Sequence, residues 1–294
     1  MKPFFRSKAL QSKLFLALIL LVTLAAGLTA QVRAGNPHLT LGNPSHAAAD
    51  PDKKDNYLME KEFFVLSYNN SKGAPNWVSW RLTKDDVGEA PRFAFFPDKE
   101  LPQGFTRITP KDYTGSGFDR GHMCPHSDRS ADNEMSQATF VMSNIIPQSP
   151  HVNEKAWAQL EMYCRDLVEH HRKTLYIICG PHGKGGEGKN GKKDTIGNER
   201  KVTVPAECWK VIIVLDAGRG DDIKKVNEST RLIAVIMPND MSVGEGWADF
   251  RVSVKDVEKL TGYKFFDKVP DSVIEPLKEE VDDEAIPSPE SAHH

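Results

Sequence analysis

The sequence predicts an α+β fold with a largely antiparallel central sheet. Two observations point there. Strand-like segments come first, then one long helical segment, then more strands, without the βαβ alternation of a parallel sheet. The apolar pattern also changes period: short alternating or continuous runs give way once to a clear helical stripe. The composition suits this class, since 39% of the 294 residues are hydrophobic and 27% charged. Such values exclude wholesale disorder, a collagen-like repeat and a disulfide-dense miniature scaffold.

Residues 1–34 place Lys2, Arg6, Lys8 and Lys13 ahead of an apolar run over residues 14–26, followed by small residues with candidate cleavage points after Ala30 or Ala34. This is the layout of a secretory signal peptide, and the run is short for a spanning helix of about 20 residues. No other segment is apolar enough to span a bilayer, so a secreted or periplasmic product is expected. Residues 35–55 (GNPHLTLGNPSHAAADPDKKD) read as an irregular arm. Residues 57–68 (YLMEKEFFVLSY) read as a strand, residues 69–73 as a turn, and residues 77–82 (WVSWRL) as its hairpin partner. A short strand is expected at residues 139–143, and buried core strands at 175–179, 208–215 and 232–237.

The long helix is expected over residues 153–171, because Trp157, Leu160, Cys164, Leu167, Val168 and His171 fall on one face. Ser253, with Asp256 three residues on, caps a second helix. Residues 265–294 hold nine Asp/Glu against two Lys and read as an acidic, disordered tail. The formal net charge of −3 is therefore a sum of unlike parts, and the body between the ends is close to neutral. A generally basic nucleic-acid binder is excluded, but a local basic patch is not.

Cys124, Cys164, Cys179 and Cys208 have no CxxC spacing, and their pairing is not legible. Residues 183–189 satisfy the pattern GxxxxGK, but Asn190 stands where a phosphate loop needs Ser or Thr, and no helical pattern follows. Lys184, Lys189, Lys192, Lys193, Arg200 and Lys201 outnumber the acids of this loop. It is either a solvated loop or a rim that contacts phosphates.

Two segments carry chemistry. The first, residues 118–126, reads FDRGHMCPH. A loop histidine such as His122 can act as a general base near neutral pH, and Arg120 beside it can clamp a phosphate. Gly121 permits close backbone approach or a positive φ. His122, Cys124 and His126 also admit a zinc reading, with no fourth ligand assigned. The second segment runs from SNIIPQ at residues 143–148 to Asn153, Trp157, Leu160, Glu161 and Arg165. Glu161 and Arg165 lie on one flank of the helical stripe, where they could line a cleft or form an ordinary i,i+4 ion pair.

DRGH, then SNIIPQ, then NxxxWxxLExxxR, in this order, resembles the DNA/RNA non-specific endonuclease family, the ββα-metal or His-Me finger nucleases. It is especially similar to the secreted bacterial sugar-non-specific enzymes. The resemblance extends over about residues 55–262, making 56–264 the expected nuclease domain. It implies His122 as general base and Asn153 as the direct protein ligand of one Mg²⁺, with Mn²⁺ as a possible substitute. It further implies that Glu161 orients waters of the ion and that Arg120, Arg165 and Arg92 act on the phosphate. Asp119, Gly121 and Asn144 would support the site, and His126 stands where many relatives carry a small residue.

The implied function is a metal-dependent, sequence-non-specific endonuclease that hydrolyses DNA and RNA to 5′-phosphate products. Its partners would be those nucleic acids and no small-molecule cofactor. A catalytically silent nucleic-acid-binding protein and a zinc-dependent hydrolase are the alternatives.

Overall fold

The computed structural model describes residues 35–198 and 202–286. Its first three strands, β1 (Tyr57–Glu60), β2 (Val65–Asn69) and β3 (Ala74–Leu82), form an antiparallel meander. The chain then leaves the sheet for a two-stranded ribbon, β4 (Asp119–His122) with β5 (Ile145–Gln148), with helix α1 (Asn133–Ala138) between them in sequence. A π-helical turn at Val152–Ala156 continues into helix α2 (Trp157–Glu169). β6 (Lys173–His182) pairs with β3. A small hairpin, β7 (Gly186–Gly188) with β8 (Gly191–Lys193), and the pair β9 (Thr195–Ile196) and β10 (Val202–Thr203) follow. β11 (Glu207–Asp216), a single helical turn α3 (Asp222–Lys225), β12 (Arg231–Pro238) and β13 (Arg251–Val252) complete the main sheet. Helices α4 (Val254–Thr261) and α5 (Asp271–Glu279) come last. The main sheet runs β1-β2-β3-β6-β11-β12-β13, antiparallel at every pairing.

The continuous apolar runs of β6, β11 and β12 follow from burial on both sheet faces. Successive side chains in a strand point to opposite faces. Ile177, Cys179, Ile212, Ile233 and Val235 share one core with Trp157, Leu160, Cys164 and Val168 of the α2 segment. Tyr176, Ile178, Val211, Ile213 and Ala234 share a second core with Val254 and Val257 of α4 and with Ile274 and Leu277 of α5. Leu41 and Ala47 of the arm belong to that second core too. A third cluster, including Tyr113, Phe118, Met142 and Ile145, lies around the ribbon.

Three sequence expectations need correction. Residues 57–68 are two strands, not one, because the charged stretch Glu60-Lys61-Glu62 sits at the turn between β1 and β2. No strand forms at residues 139–143; Met142–Asn144 is a 3₁₀ turn and the strand starts at Ile145. Ser143 and Asn144 spend their side chains on partners both near and distant in the sequence, which competes with a ladder.

The acidic tail expected to be disordered over residues 265–294 instead begins as ordered, packed chain. Phe265, Phe266, Val269, Ile274 and Leu277 are buried in the second core. Lys278, fully buried on α5, donates to Glu258 of α4 at 2.8 Å and to Glu275 at 2.9 Å. The acids mask an apolar stripe sufficient to order residues 265–279. The expected signal, residues 1–34, and residues 287–294 lie outside the described residues.

Ser253 caps α4 with Asp256 in a reciprocal capping box, and Gly262 ends it at a φ of 74°. All four cysteines are free thiols, buried in the fold. No helix among the described residues is long and apolar enough to cross a membrane.

Candidate active site

The ribbon sets the site. Asp119 stands opposite Gln148, Arg120 opposite Pro147, Gly121 opposite Ile146 and His122 opposite Ile145. Asn144 fastens the His122 end: its side-chain oxygen accepts from the Cys124 N–H at 2.9 Å, and its amide donates to the carbonyls of Cys124 (2.8 Å) and Thr139 (2.9 Å). The side chain is thereby consumed by backbone. Gly121 is needed for close approach and not for a positive φ, since a Cβ there would lie 2.2 Å from Oε1 of Gln148.

His122 closes β4 with its ring 5.2 Å from that of Phe95 and edge-on to Phe140 at 4.9 Å. Burial lowers its pKa from 6.5 to about 3, and the nearby Arg92 and His126 push the same way. The imidazole is therefore neutral, and its buried Nε2 has no hydrogen-bond partner. Arg92 is exposed, with its guanidinium 5.3 Å from the Phe140 ring centre, which brings it to the histidine pocket. Arg120 lies over Phe95 at 5.6 Å and donates through Nη2 to the Pro110 carbonyl at 2.9 Å, while its buried Nε is unpartnered.

His126 is half-buried. Its Nε2 lies 3.3 Å from the Ala90 carbonyl, which can only accept, so Nδ1 is left to accept from the Ser127 hydroxyl at 3.2 Å. The Nε2 contact holds the segment that carries Arg92. Among the described residues no group of three or more His, Cys, Asp or Glu is placed to hold a metal ion. His122, Cys124 and His126 do not form such a group.

The helical segment faces the ribbon. Asn153, in the π-turn, donates through Nδ2 to Oδ2 of Asp119 at 3.0 Å. A carboxylate only accepts, so the amide orientation is fixed and the Asn153 carbonyl oxygen is the end left for another partner. Glu161 pairs with Lys210 at 3.6 Å, and that ammonium sits 4.0 Å from the Trp157 ring centre. Burial pushes the Glu161 carboxyl up and Lys210 pulls it back. Arg165 donates to Oδ1 of Asp128 at 2.9 Å, and the other oxygen of that buried carboxylate accepts from the Trp80 indole at 3.0 Å. Glu161 and Arg165 thus take separate partners on other elements instead of pairing with each other.

Sequence reasoning missed Gln148, Asp128 and Lys210. The Gln148 amide is fully buried without a hydrogen bond of good geometry, although the Cys208 thiol lies beside it. With Arg120 Nε and His122 Nε2, it places four buried, unpartnered polar atoms on one small ribbon. Native interiors rarely leave such groups unsatisfied away from a functional site. Lys210 had a visible signal, a lone charge inside CWKVIIVL. Asp128 had none, because its importance lies in contacts with Trp80 and Arg165, far off in sequence.

Comparison with known proteins agrees with this geometry. The family profile described as DNA/RNA non-specific endonuclease matches residues 42–272. A protein of Nostoc sp. named "Nuclease" is 45% identical over 246 residues, covering 83% of this chain and 86% of its own. The human "Nuclease EXOG, mitochondrial" is 34% identical over 209 residues, 69% of this chain and 55% of that protein. A chain in a crystal structure of an EndoG/EndoGI complex superposes with a TM-score of 0.66 at 25% identity, covering 83% of this chain and 96% of that one. The two-stranded ribbon followed by a helix is the ββα-metal arrangement, and the chain belongs to the DNA/RNA non-specific endonuclease family.

Proposed function

We propose that this nuclease is exported and hydrolyses DNA and RNA endonucleolytically, with His122 as general base and a divalent ion at Asn153. The carrying observation is a neutral, partner-free His122 on the same four-residue strand as Asp119, which fixes the Asn153 amide. The donors suit a hard cation: the free Asn153 oxygen and the adjacent Asp119 carboxylate favour Mg²⁺, with Mn²⁺ as substitute, over a thiolate- or imidazole-rich zinc site. A bound Mg²⁺ would stabilise the charge that builds on phosphorus and on the leaving oxygen.

The remaining work falls to the chain. His122 takes the proton from the attacking water at the imidazole nitrogen facing it. Arg120, Arg92 and Arg165 supply donors whose positions are fixed before substrate arrives, by Pro110, Phe140 and Asp128 respectively. Attack by water with departure of the 3′ oxygen leaves a 5′-phosphate. Contacts confined to backbone phosphates would make DNA and RNA equivalent substrates. Export rests on the pattern of residues 1–34.

Digestion of plasmid and of RNA with Mg²⁺, with EDTA and with His122→Ala tests the proposal. Cleavage that EDTA abolishes and that falls about 10²–10⁴-fold in His122→Ala is expected. Full activity in that variant would remove the base, and an unchanged Mg²⁺ titration in Asn153→Ala would move the ion elsewhere. Binding without cleavage in the wild type would favour a silent nucleic-acid-binding protein.

A further inference from the structure

The glycine- and lysine-rich hairpin β7–β8 has no part in the chemistry above, yet it is fastened to the loop that leads into β4 and, through Asn239, to β5. On one side the Lys189 N–H donates to the Gly117 carbonyl at 2.9 Å, and the Asn190 amide donates to the Gly115 carbonyl at 3.1 Å. Gly117 lies just before Asp119, the residue that holds Asn153. The contact is close enough that a Cβ on Gly188 would fall 2.4 Å from the Gly117 oxygen, and one on Gly117 would fall 2.7 Å from the Asn190 nitrogen. On the other side the Glu187 N–H donates to the Asn239 carbonyl at 2.8 Å. Asn239 is fully buried; its amide donates to the Pro147 carbonyl of β5 at 3.0 Å, and its side-chain oxygen accepts from the Ser149 N–H at 2.7 Å.

A merely solvated loop needs no such anchoring. The glycines here serve backbone-to-backbone docking, which leaves the lysines outward. Lys189 and Lys192 are exposed and Lys193 is half-exposed. Lys184 pairs with Asp194 at 3.6 Å, but the other three have no ion-pair partner among the described residues. Gly117 is within five residues of His122, so extended chain puts the hairpin's anchor at most about 17 Å from the base. Along one strand of duplex that distance is about five nucleotide steps.

We propose that the β7–β8 hairpin is a substrate rail: Lys189, Lys192 and Lys193 bind backbone phosphates of nucleic acid flanking the scissile one. The proposal rests on the nuclease reading given above. It accounts for nucleic-acid binding by a body whose net charge is near neutral, because cations are needed only along the path of the strand.

The test compares wild type with the triple variant Lys189→Gln, Lys192→Gln, Lys193→Gln, using Mg²⁺ and two substrates. One is a DNA duplex at several salt concentrations; the other is a dinucleoside monophosphate, which has no flanking phosphate. In the variant, KM for duplex should rise about tenfold at low salt, and the slope of log KM against log salt should fall by about 2 to 3. Turnover of the dinucleoside monophosphate is the reference and should match wild type. The Lys→Arg counterpart should restore the duplex KM. An unchanged duplex KM and salt slope would overturn the rail. An equal loss on both substrates, or no rescue by arginine, would overturn it too, by assigning the hairpin a structural role. Wild-type protein that cleaves neither substrate would instead refute the nuclease reading itself.

Discussion

His122 owes its proposed role to its surroundings. A free histidine would lose its base form as pH falls through 6.5, but burial and the field of Arg92 lower the pKa to about 3. The neutral imidazole therefore persists through mildly acidic pH. A profile of kcat/KM against pH should show no histidine limb between pH 7 and 5. Removing the cation in Arg92→Ala should move the acid limb upward, while a limb at 6.5 in wild type would contradict the assigned burial. Arg165 depends in the same way on Asp128. Asp128→Ala would strand a partly buried guanidinium and the Trp80 indole, costing about 3–5 kcal/mol of stability, measurable by denaturant unfolding, and lowering activity. The identity of these chemical groups was legible in DRGH and in the helical spacing. Their partners were not, since Asp128 and Lys210 act across the fold and no local pattern marks such contacts.

Among the elements, α2 and the three buried strands were legible because their apolar periods are long. The ribbon was not. β4 and β5 are four residues each, and DRGH has neither alternation nor β-branched residues to announce a strand. What holds it is tertiary: Asn144, and the close fit of Gly121 against Gln148. Gly121→Ala should cost about 1–3 kcal/mol through the forced shift of Gln148. Activity should fall with it, whereas a variant of wild-type stability and rate would show the ribbon to be slack. α5 was hidden by charge averaging. Deleting residues 265–286 removes Phe265, Phe266, Ile274 and Leu277 from the second core, each worth about 1.5–3 kcal/mol. The sum approaches the whole stability of a typical domain, about 5–15 kcal/mol. The truncated chain should therefore fail to fold, as read by circular dichroism and solubility; a native-like spectrum would make the segment an appendage after all.

The molecule as a whole should be sensitive to acid for a reason apart from catalysis. His38 ties the arm to the sheet: its Nε2 lies 3.0 Å from the Glu62 carbonyl and its Nδ1 accepts from the Arg81 N–H at 3.1 Å. Burial and then Arg129 lower its pKa from 6.5 to about 4. Above pH 6.5 the ring is neutral in both folded and unfolded chain, and its stabilising contribution is complete. As pH falls from 6.5 towards 4 only the unfolded chain takes up the proton, so about 3 kcal/mol is lost across that window. Replacing His38 with Gln should flatten the dependence of Tm on pH there.

The four thiols respond to the fold as well. Burial pushes Cys164 and Cys208 up to about 12 and raises Cys124 and Cys179 further. A thiol-reactive disulfide should label none in the native protein and all four after unfolding; rapid native labelling would show that the core is open.

The place of Phe265 to Leu277 in the second core also sets an order of events during synthesis. Strands β6, β11 and β12 keep part of one face uncovered until those residues have been made, although every group of the candidate active site was made long before. Growing chains tend to fold domain by domain, beginning at the N-terminus. Here no early stretch is a closed unit, so the candidate active site is completed only after residues 265–277 have been made. A cell translating its message would carry unfinished chains with the right residues and no working cleft.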